Sequence, residues 1–343
     1  LPAIFLGLSL LTLGPLLSGC NKAVAPSETL LQGSTMGTQY SVKIVDLPAV
    51  LRPEVLQADI DRVLEAVNDS MSTYREDSEL SRFNRYRGGD WVPASQGLLK
   101  VLEVAQETSR LSDGAFDVTV APLVNLWGFG PGPMRDGIPD QDQIRSALAR
   151  VGYQRLHLRS EPPGIRKERP DLVVDLSAIA KGYGVDLVAE HLDALGLENY
   201  LVEIGGEVWG KGHNARGTPW RIAIEKPSPA QRSVYAVVRL DGRGIATSGD
   251  YRNFFEQQGQ RFSHTIDPTS GRPVIHDLAS VTVLSPTVTR ADALATALLV
   301  LGPEQGYRLA EQQGLAALFI IREGDGYKEK QTRLFEQFRV PAS

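Results

Sequence analysis

The chain has one cysteine, Cys20, in 343 residues. A single thiol cannot close an internal disulfide, and it excludes zinc sites built on cysteine. No long run of lysine and arginine is present and the formal net charge is −5, so the electrostatic footprint of a nucleic-acid binder is missing. The densest basic stretch, Arg155–Arg169, is interrupted by Pro162, Pro163 and Gly164 and reads as a solvated loop. There is no G-x-S-x-G elbow, Walker A loop or H-E-x-x-H pair, which removes the main support for serine-hydrolase, P-loop and zincin chemistry. Gly128–Gly137 is glycine-rich but carries prolines and the wrong spacing for a dinucleotide fingerprint. No internal repeat, low-complexity tract or long linker divides the chain.

What is present fits an ordinary globular protein. The hydrophobic share is 42% and the charged share 22%, and the length suffices for one large domain or two. Leu1–Gly19 carries no charge and is mostly Leu, Gly, Pro and Ser, in the manner of a signal-peptide core. Leu17, Ser18, Gly19 and Cys20 resemble a bacterial lipobox. The expectation is a lipoprotein signal over 1–19, a lipid on the Cys20 thiol, a tether over 20–30 and a catalytic domain over 31–343. That places the protein on the periplasmic face of a bacterial membrane, the inner one favoured. An ordinary secretory signal with an incidental cysteine is the alternative.

Hydrophobic spacing predicts helices over Pro53–Ser70, Ser95–Leu111, Asp140–Val151, Arg290–Leu301 and Glu304–Gln313. Ser78–Asn84 reads as a turn or short helix. Strands are expected after Gly33, over Tyr200–Val208, Trp220–Glu225, Val234–Leu240, Ala279–Leu284 and Ala316–Arg322. Helices and strands are interspersed without strict βαβ alternation. The fold class expected is α+β, a single domain with a largely antiparallel sheet.

Three stretches carry candidate chemistry. Val173–Asp186 opens like a buried strand, then places Asp175, Ser177 and Lys181 among small residues before an amphipathic helix. A helix N-terminus with unpaired N–H groups and a lysine suits a phosphate; a capped helix with a solvated lysine is the alternative. Asp292 and Thr296 lie four apart on an expected helix, so their oxygens share one face and suit a hard cation such as Mg²⁺. The competing reading is capping, with Thr289 as N-cap and Asp292 completing a box. Phe262–Pro273 holds His264, a candidate general base because imidazole titrates near neutrality.

Taken in order, GSTMGT, MSTY, DGAFDVTVAPLVNLWGFG, VVDLSAIAKGYGVD, EIGGEVWGKG, ATSGDYRNFF, SHTIDPTSGRP and ADALATALLVLG resemble the bacterial FAD:protein FMN transferases, the ApbE family. The resemblance implies a core related to the T-fold and an enzyme that takes FAD with Mg²⁺. It implies transfer of FMN, through a phosphoester, to a threonine of a target protein, with release of AMP. Implied targets are extracytoplasmic segments of Na⁺-pumping NADH:quinone oxidoreductases and Rnf-type complexes, with the threonine in a motif like S/D-G-x-S/T-x-S/T. The family's flavin and adenine contacts fall on Met36, Tyr74, Ala115, Phe116, Asp117, Asp175 and Lys181, with another at Ile266. Its metal ligands fall on the Ala178 carbonyl and the side chains of Asp292 and Thr296, and His264 matches a histidine that assists acceptor activation. Some members carry an Asp before the metal Thr where this chain has Ala295, and Glu207 stands where Asp is common. The alternatives are a Mg²⁺-dependent FAD pyrophosphatase with the same site and a non-enzymatic flavin-binding lipoprotein.

Overall fold

The computed structural model describes residues 26–130, 137–227, 233–240, 242–250, 254–257 and 260–341. Cys20 and the lipobox lie outside the described residues, as does part of the Gly128–Gly137 loop.

An eight-stranded antiparallel sheet organises the chain: β1 (Glu28–Thr35), β2 (Thr38–Val45), β3 (Tyr200–Ile204), β4 (Glu207–Lys211), β5 (Arg243–Gly249), β6 (Leu278–Ser285), β7 (Ala316–Glu323) and β8 (Gly326–Gln331). Spatial order follows chain order, so every strand pairs with its predecessor. The expected α+β class with an antiparallel sheet is what the chain adopts. Glu28 pairs with Val45, so the sheet begins inside the stretch expected as a tether. The expected strand over Tyr200–Val208 is two strands, β3 and β4, because Gly205 and Gly206 turn the chain at φ 64° and 108°. Both values suit glycine and few other residues.

Helices cover one sheet face. α1 (Pro53–Met71) starts with proline at its first turn and buries Leu56, Ile60, Leu64, Val67 and Met71, a stripe at helical spacing. α2 (Glu79–Arg85) is capped by Ser78, whose Oγ accepts from the Ser81 N–H. α3 (Gln96–Leu111) has Ser95 as N-cap rather than first residue. α4 (Ala121–Leu126) and α5 (Gln141–Leu148) form a satellite; α5 opens on an Asp140–Gln143 capping box and ends before the expected Val151. α6 (Ala180–Ala194) and α7 (Val288–Gln312) pack together across the sheet. The two helices expected at the end of the chain are present and meet at Gly302 (φ 77°, ψ −176°), just before Pro303; they are numbered together as α7. Among the described residues no helix is long and apolar enough to cross a membrane.

The second face is covered over half its width. A two-stranded ribbon, Arg221–Glu225 with Val234–Arg239, and the segment around Phe335 and Phe338 pack on Val208, Ile245, Leu284, Ala316, Leu318 and Ile320. Over β1 to β3 that face is largely open, with Leu30 49% exposed and Glu203 exposed, and only Val45 and Leu201 join the covered cluster.

Candidate active site

The expected strand before α6 is absent. Val174 and Leu176 are buried, but the chain there is irregular. Its main chain bonds to side chains and loops instead of a strand: the Asn84 amide donates to the Val174 carbonyl and accepts from the Val174 N–H, both at 2.8 Å. The Asp175 N–H donates to the Val118 carbonyl at 2.7 Å. Asn84 thus does the work of a neighbouring strand. Asp175 Oδ1 accepts from the N–H and hydroxyl of Ser177, a tight polar turn that leads into α6.

α6 and α7 meet closely. A Cβ on Gly182 would fall 2.5 Å from the Val288 carbonyl oxygen, so only glycine allows the approach. The Gly182 N–H donates to Asp292 Oδ2 at 3.1 Å. Gly182 lies in the first turn of α6, where N–H groups have no acceptor within the helix. Asp292 supplies one from α7. Asp292 therefore completes no capping box on its own helix. The N-cap of α7 is Thr287, not Thr289, and Asp186 on α6 accepts from the N–H groups of Val288 and Thr289 at 2.8 and 2.9 Å and from the Thr289 hydroxyl.

Lys181 extends between two carboxylates. Its Nζ lies 3.2 Å from Glu207 Oε2 and 3.7 Å from Asp292 Oδ2. Burial works to lower the ammonium's pKa, but Asp292 and Glu207 outweigh it and hold the group above the ordinary lysine range. Glu207 is 4% exposed, and burial pushes its carboxyl up despite the lysine. Its Oε2 has the ion pair but no well-aligned hydrogen bond. With all three groups ionised, two carboxylates face one ammonium. That state would leave one uncompensated negative charge where water is scarce, which is costly and favours a proton on Glu207.

The cluster opens into a cleft of about 450 Å³. Ala115, Phe116, Asp117 and Asp175 line it, as do Ala178, Lys181, Asp292 and Thr296, and His264 and Ile266. Met36 is the exception among the expected contacts. It sits at φ 49° in the β1–β2 turn and lines an adjoining cleft of about 980 Å³. The two clefts meet at Tyr74, Ser177 and Lys181, and Tyr74 is 74% exposed there, an open ring suited to stacking. Asp117 borders the cleft but its oxygens already serve the chain: Oδ1 accepts from the Thr119 N–H and hydroxyl, and Oδ2 from the Tyr153 N–H. Burial nonetheless raises its pKa.

The donor set suits a hard cation. Among the described residues no three of His, Cys, Asp and Glu converge as a metal cluster. Asp292, the Thr296 hydroxyl (3.0 Å from Ser248 Oγ) and the Ala178 carbonyl, which precedes the α6 N-cap, all offer oxygens. That is the partial shell Mg²⁺ accepts when substrate oxygens and water complete it. Ala295 is fully buried in the core beneath α7, so no carboxylate reaches the cleft from that position.

His264 is half-buried, edge-on to Phe129 with ring centroids 6.3 Å apart. Phe129, Phe255, Phe262 and Trp127 stack in succession, with centroids 5.0 to 5.6 Å apart, and the Trp127 indole donates to the Gly271 carbonyl at 2.8 Å. Of the other histidines, His157 pairs with Glu168 at 2.8 Å outside the cleft. Thr247 and Ser248, which read in sequence as a small polar turn after a strand suited to close approach to a ligand, also line the cleft, whereas no local motif by itself marks Glu207 as a partner of Lys181. The double glycine before Glu207 was the signal: it forces a tight turn whose next side chain points back at Lys181.

Comparison with known proteins places this architecture. The chain matches the ApbE family model over residues 36–319. It is 49% identical over 324 residues to the FAD:protein FMN transferase of Vibrio cholerae, covering 94% of this chain and 96% of that protein. It is 41% identical over 330 residues to that of Escherichia coli K12, with 94% of each covered. The solved flavin transferase ApbE from Vibrio cholerae superposes with a TM-score of 0.85 at 47% identity, covering 91% of this chain and 99% of that one. The apo flavinyl transferase ApbE of Pseudomonas stutzeri gives 0.85 at 42% identity, with 94% and 99% covered. This chain belongs to the ApbE family.

Proposed function

We propose that this protein is an FAD:protein FMN transferase working with Mg²⁺, and that it joins FMN to a threonine of an extracytoplasmic segment of a redox membrane complex, of the Na⁺-pumping NADH:quinone oxidoreductase or Rnf type. The observation that carries the reading is Lys181 at the meeting of two clefts, beside two carboxylates. FAD is two bulky ends joined by a diphosphate, and this arrangement offers a berth for each end with a cation at the join. The relatives' names agree with it.

In the proposed reaction the acceptor Oγ forms a bond to the flavin-side phosphorus. The P–O bond to the AMP-side phosphate breaks, and AMP leaves with that oxygen. The acceptor proton passes to His264, or to Asp292 as the second candidate, because a threonine hydroxyl is a weak nucleophile until deprotonated. Lys181 turns from its carboxylates toward the diphosphate and offsets charge that grows on the leaving oxygen. Asp292, Thr296 and the Ala178 carbonyl would hold Mg²⁺, which when bound would neutralise diphosphate charge and polarise the phosphoryl group. Phe116, Val118 and Ile266 give the cleft apolar lining that disfavours water as a competing acceptor.

Incubation with FAD, Mg²⁺ and a peptide carrying the acceptor motif tests the reading. A peptide heavier by one FMN phosphoester, with one equivalent of AMP, is expected. Free FMN and AMP with an unmodified peptide make the protein a pyrophosphatase. FAD held unchanged makes it a binding protein. The location follows from Cys20: radiolabelled palmitate is expected on the wild-type protein in cells and absent from Cys20→Ala.

A further inference from the structure

A protein-modifying enzyme has to seat a polypeptide beside its cofactor cleft. The open half of the second sheet face offers a place. At the margin of the ribbon runs a groove of about 620 Å³, floored by Leu201, Glu203, Val208 and Ile245 and walled by residues 222–225. It joins the FAD cleft at Gly205 and Thr247. A Cβ on Gly205 would fall 2.9 Å from Thr38 Cγ2 and 3.4 Å from Lys181 Cδ, so a side chain at that residue would crowd the join.

The wall is a free strand edge. On the ribbon's far side, the Arg239 N–H donates to the Phe338 carbonyl and the Val237 carbonyl accepts from the Val340 N–H, both at 2.8 Å. Main-chain groups alternate along an antiparallel strand, so Ala236 and Val238 point the other way, toward their register partners Ile224 and Ile222. The Leu240 N–H to Trp220 carbonyl bond, at 2.9 Å, has the same phase. The main chains of Arg221 and Ala223 therefore point out of the ribbon. Among the described residues no strand pairs with them. Ala223 is exposed. Among the described residues the groove is lined by the exposed Glu203 and by no lysine or arginine, and Arg221 stands at the far end of the edge strand.

We infer that this groove seats the acceptor polypeptide as an added strand along Arg221–Glu225, with its reactive hydroxyl led past Gly205 and Thr247 to the diphosphate. The inference rests on the transferase reading. An extended segment satisfies the outward N–H and C=O of Ala223, as in other strand-addition complexes. Main-chain recognition tolerates varied side chains, so one enzyme serves several targets. The Glu203 carboxylate favours segments that carry Lys or Arg flanking the acceptor motif.

The test uses Ala223→Pro, with Ala223→Gly as its control. Proline removes the outward N–H at an edge position that accepts it; glycine keeps that N–H. The probe is a synthetic peptide with the acceptor motif, flanked by lysines or by glutamates. For Ala223→Pro the peptide KM is expected to rise about tenfold, the equivalent of one lost hydrogen bond of about 1.4 kcal/mol, with FAD affinity unchanged. Ala223→Gly should behave as wild type, and the lysine-flanked peptide should be the better acceptor. Glu203→Lys, which leaves the edge intact, should abolish the preference for lysine flanks, and it keeps the test decisive if the proline variant fails to fold. Wild-type peptide KM in folded Ala223→Pro, or a lysine preference that survives Glu203→Lys, overturns the groove assignment while leaving the transferase reading intact. So does a wild-type dimer that Ala223→Pro dissociates without altering transfer, since a second copy would then be the occupant. Wild-type protein that modifies neither peptide overturns the transferase reading and this inference with it.

Discussion

The part of the cleft that carries Lys181, Asp292 and Thr296 is held by directional bonds, whereas the part that carries His264 rests on stacked rings. In the first, Asp186 ties α6 to the start of α7 through three donors, and Gly182 gives its N–H to Asp292 at a contact too close for any other residue. In the second, short strands lean on Trp127, Phe129, Phe255 and Phe262. Hydrogen bonds fix position to a fraction of an ångström, while aromatic stacking is broad in its geometry. A diphosphate and its cation need charges at fixed places, since preorganised charge is what stabilises the transition state. A general base needs only to come within reach of whichever hydroxyl arrives. The difference in construction matches the difference in task.

The largest effect should come from the bonded side. Asp292→Asn keeps an acceptor for the Gly182 N–H but removes the charge. FMN transfer is expected to fall about 1000-fold, the scale of losing a central electrostatic group. The melting temperature should change little, because Glu207, no longer facing a second carboxylate, can ionise and pair with Lys181 in place of Asp292. Single-turnover assays with calorimetric FAD titration and thermal melts measure both; near-normal transfer would remove Asp292 from the metal.

Next comes the stacked side. His264→Ala should slow transfer about 100-fold, typical of a lost general base, with FAD affinity little changed. Equal losses in rate and in FAD affinity would make His264 a binding residue and erase the contrast between the two sides.

The contrast also separates what was legible in the sequence from what was not. Helix positions were readable because α1 and α3 repeat their apolar residues at a helical period and carry Pro53 and Ser95 at their starts. The break in α7 was readable from Gly302 and Pro303. The run at Val173–Leu176 looked like a strand because burial makes any segment apolar. What decided it was Asn84, ninety residues distant in sequence, and no local pattern encodes such a partner. The capping of α7 misled for the same reason: Thr289 and Asp292 have the spacing of a cap, but the carboxylate that does the capping, Asp186, comes from another helix. Each residue expected at the cleft was found from short motifs, and these put all but Met36 around one cavity. Its electrostatic balance was not legible, because Glu207 meets Lys181 only through the turn at Gly205 and Gly206.

Asp186 tests whether the bonded side is held as argued. Asp186→Ala leaves the Val288 and Thr289 N–H groups without acceptors at a buried helix start, and should cost about 2–3 kcal/mol of stability. Urea unfolding measures it, with FAD affinity of the folded fraction unchanged. A loss under about 0.5 kcal/mol, the size of an ordinary surface change, would mean that packing of α6 on α7 suffices without the cap.

The smallest effect concerns the sign of Asp186's own titration. Burial raises its carboxyl above the ordinary value of 3.8, against the opposing pull of Thr289 and Val288. A carboxyl raised in the folded state keeps its proton to higher pH than the unfolded chain does. Its contribution is therefore fully present below pH 3.8 and is lost as pH rises through the raised folded value. Subtracting the stability of Asp186→Asn, which does not titrate, from that of wild type at each pH isolates this group from the other carboxylates. The difference should decline as pH rises above the ordinary value of 3.8 through the raised folded value and then level, with about 1.4 kcal/mol for each unit by which the folded value is raised. The helix dipole of α7 pulls the opposite way, since it favours a carboxylate at its N-terminus. A difference that grows with pH would mean the dipole and the three donors outweigh burial. The α6–α7 junction would then be a charge-stabilised clamp rather than a packed one, and the fixed geometry of the bonded side would depend on the anion at Asp186.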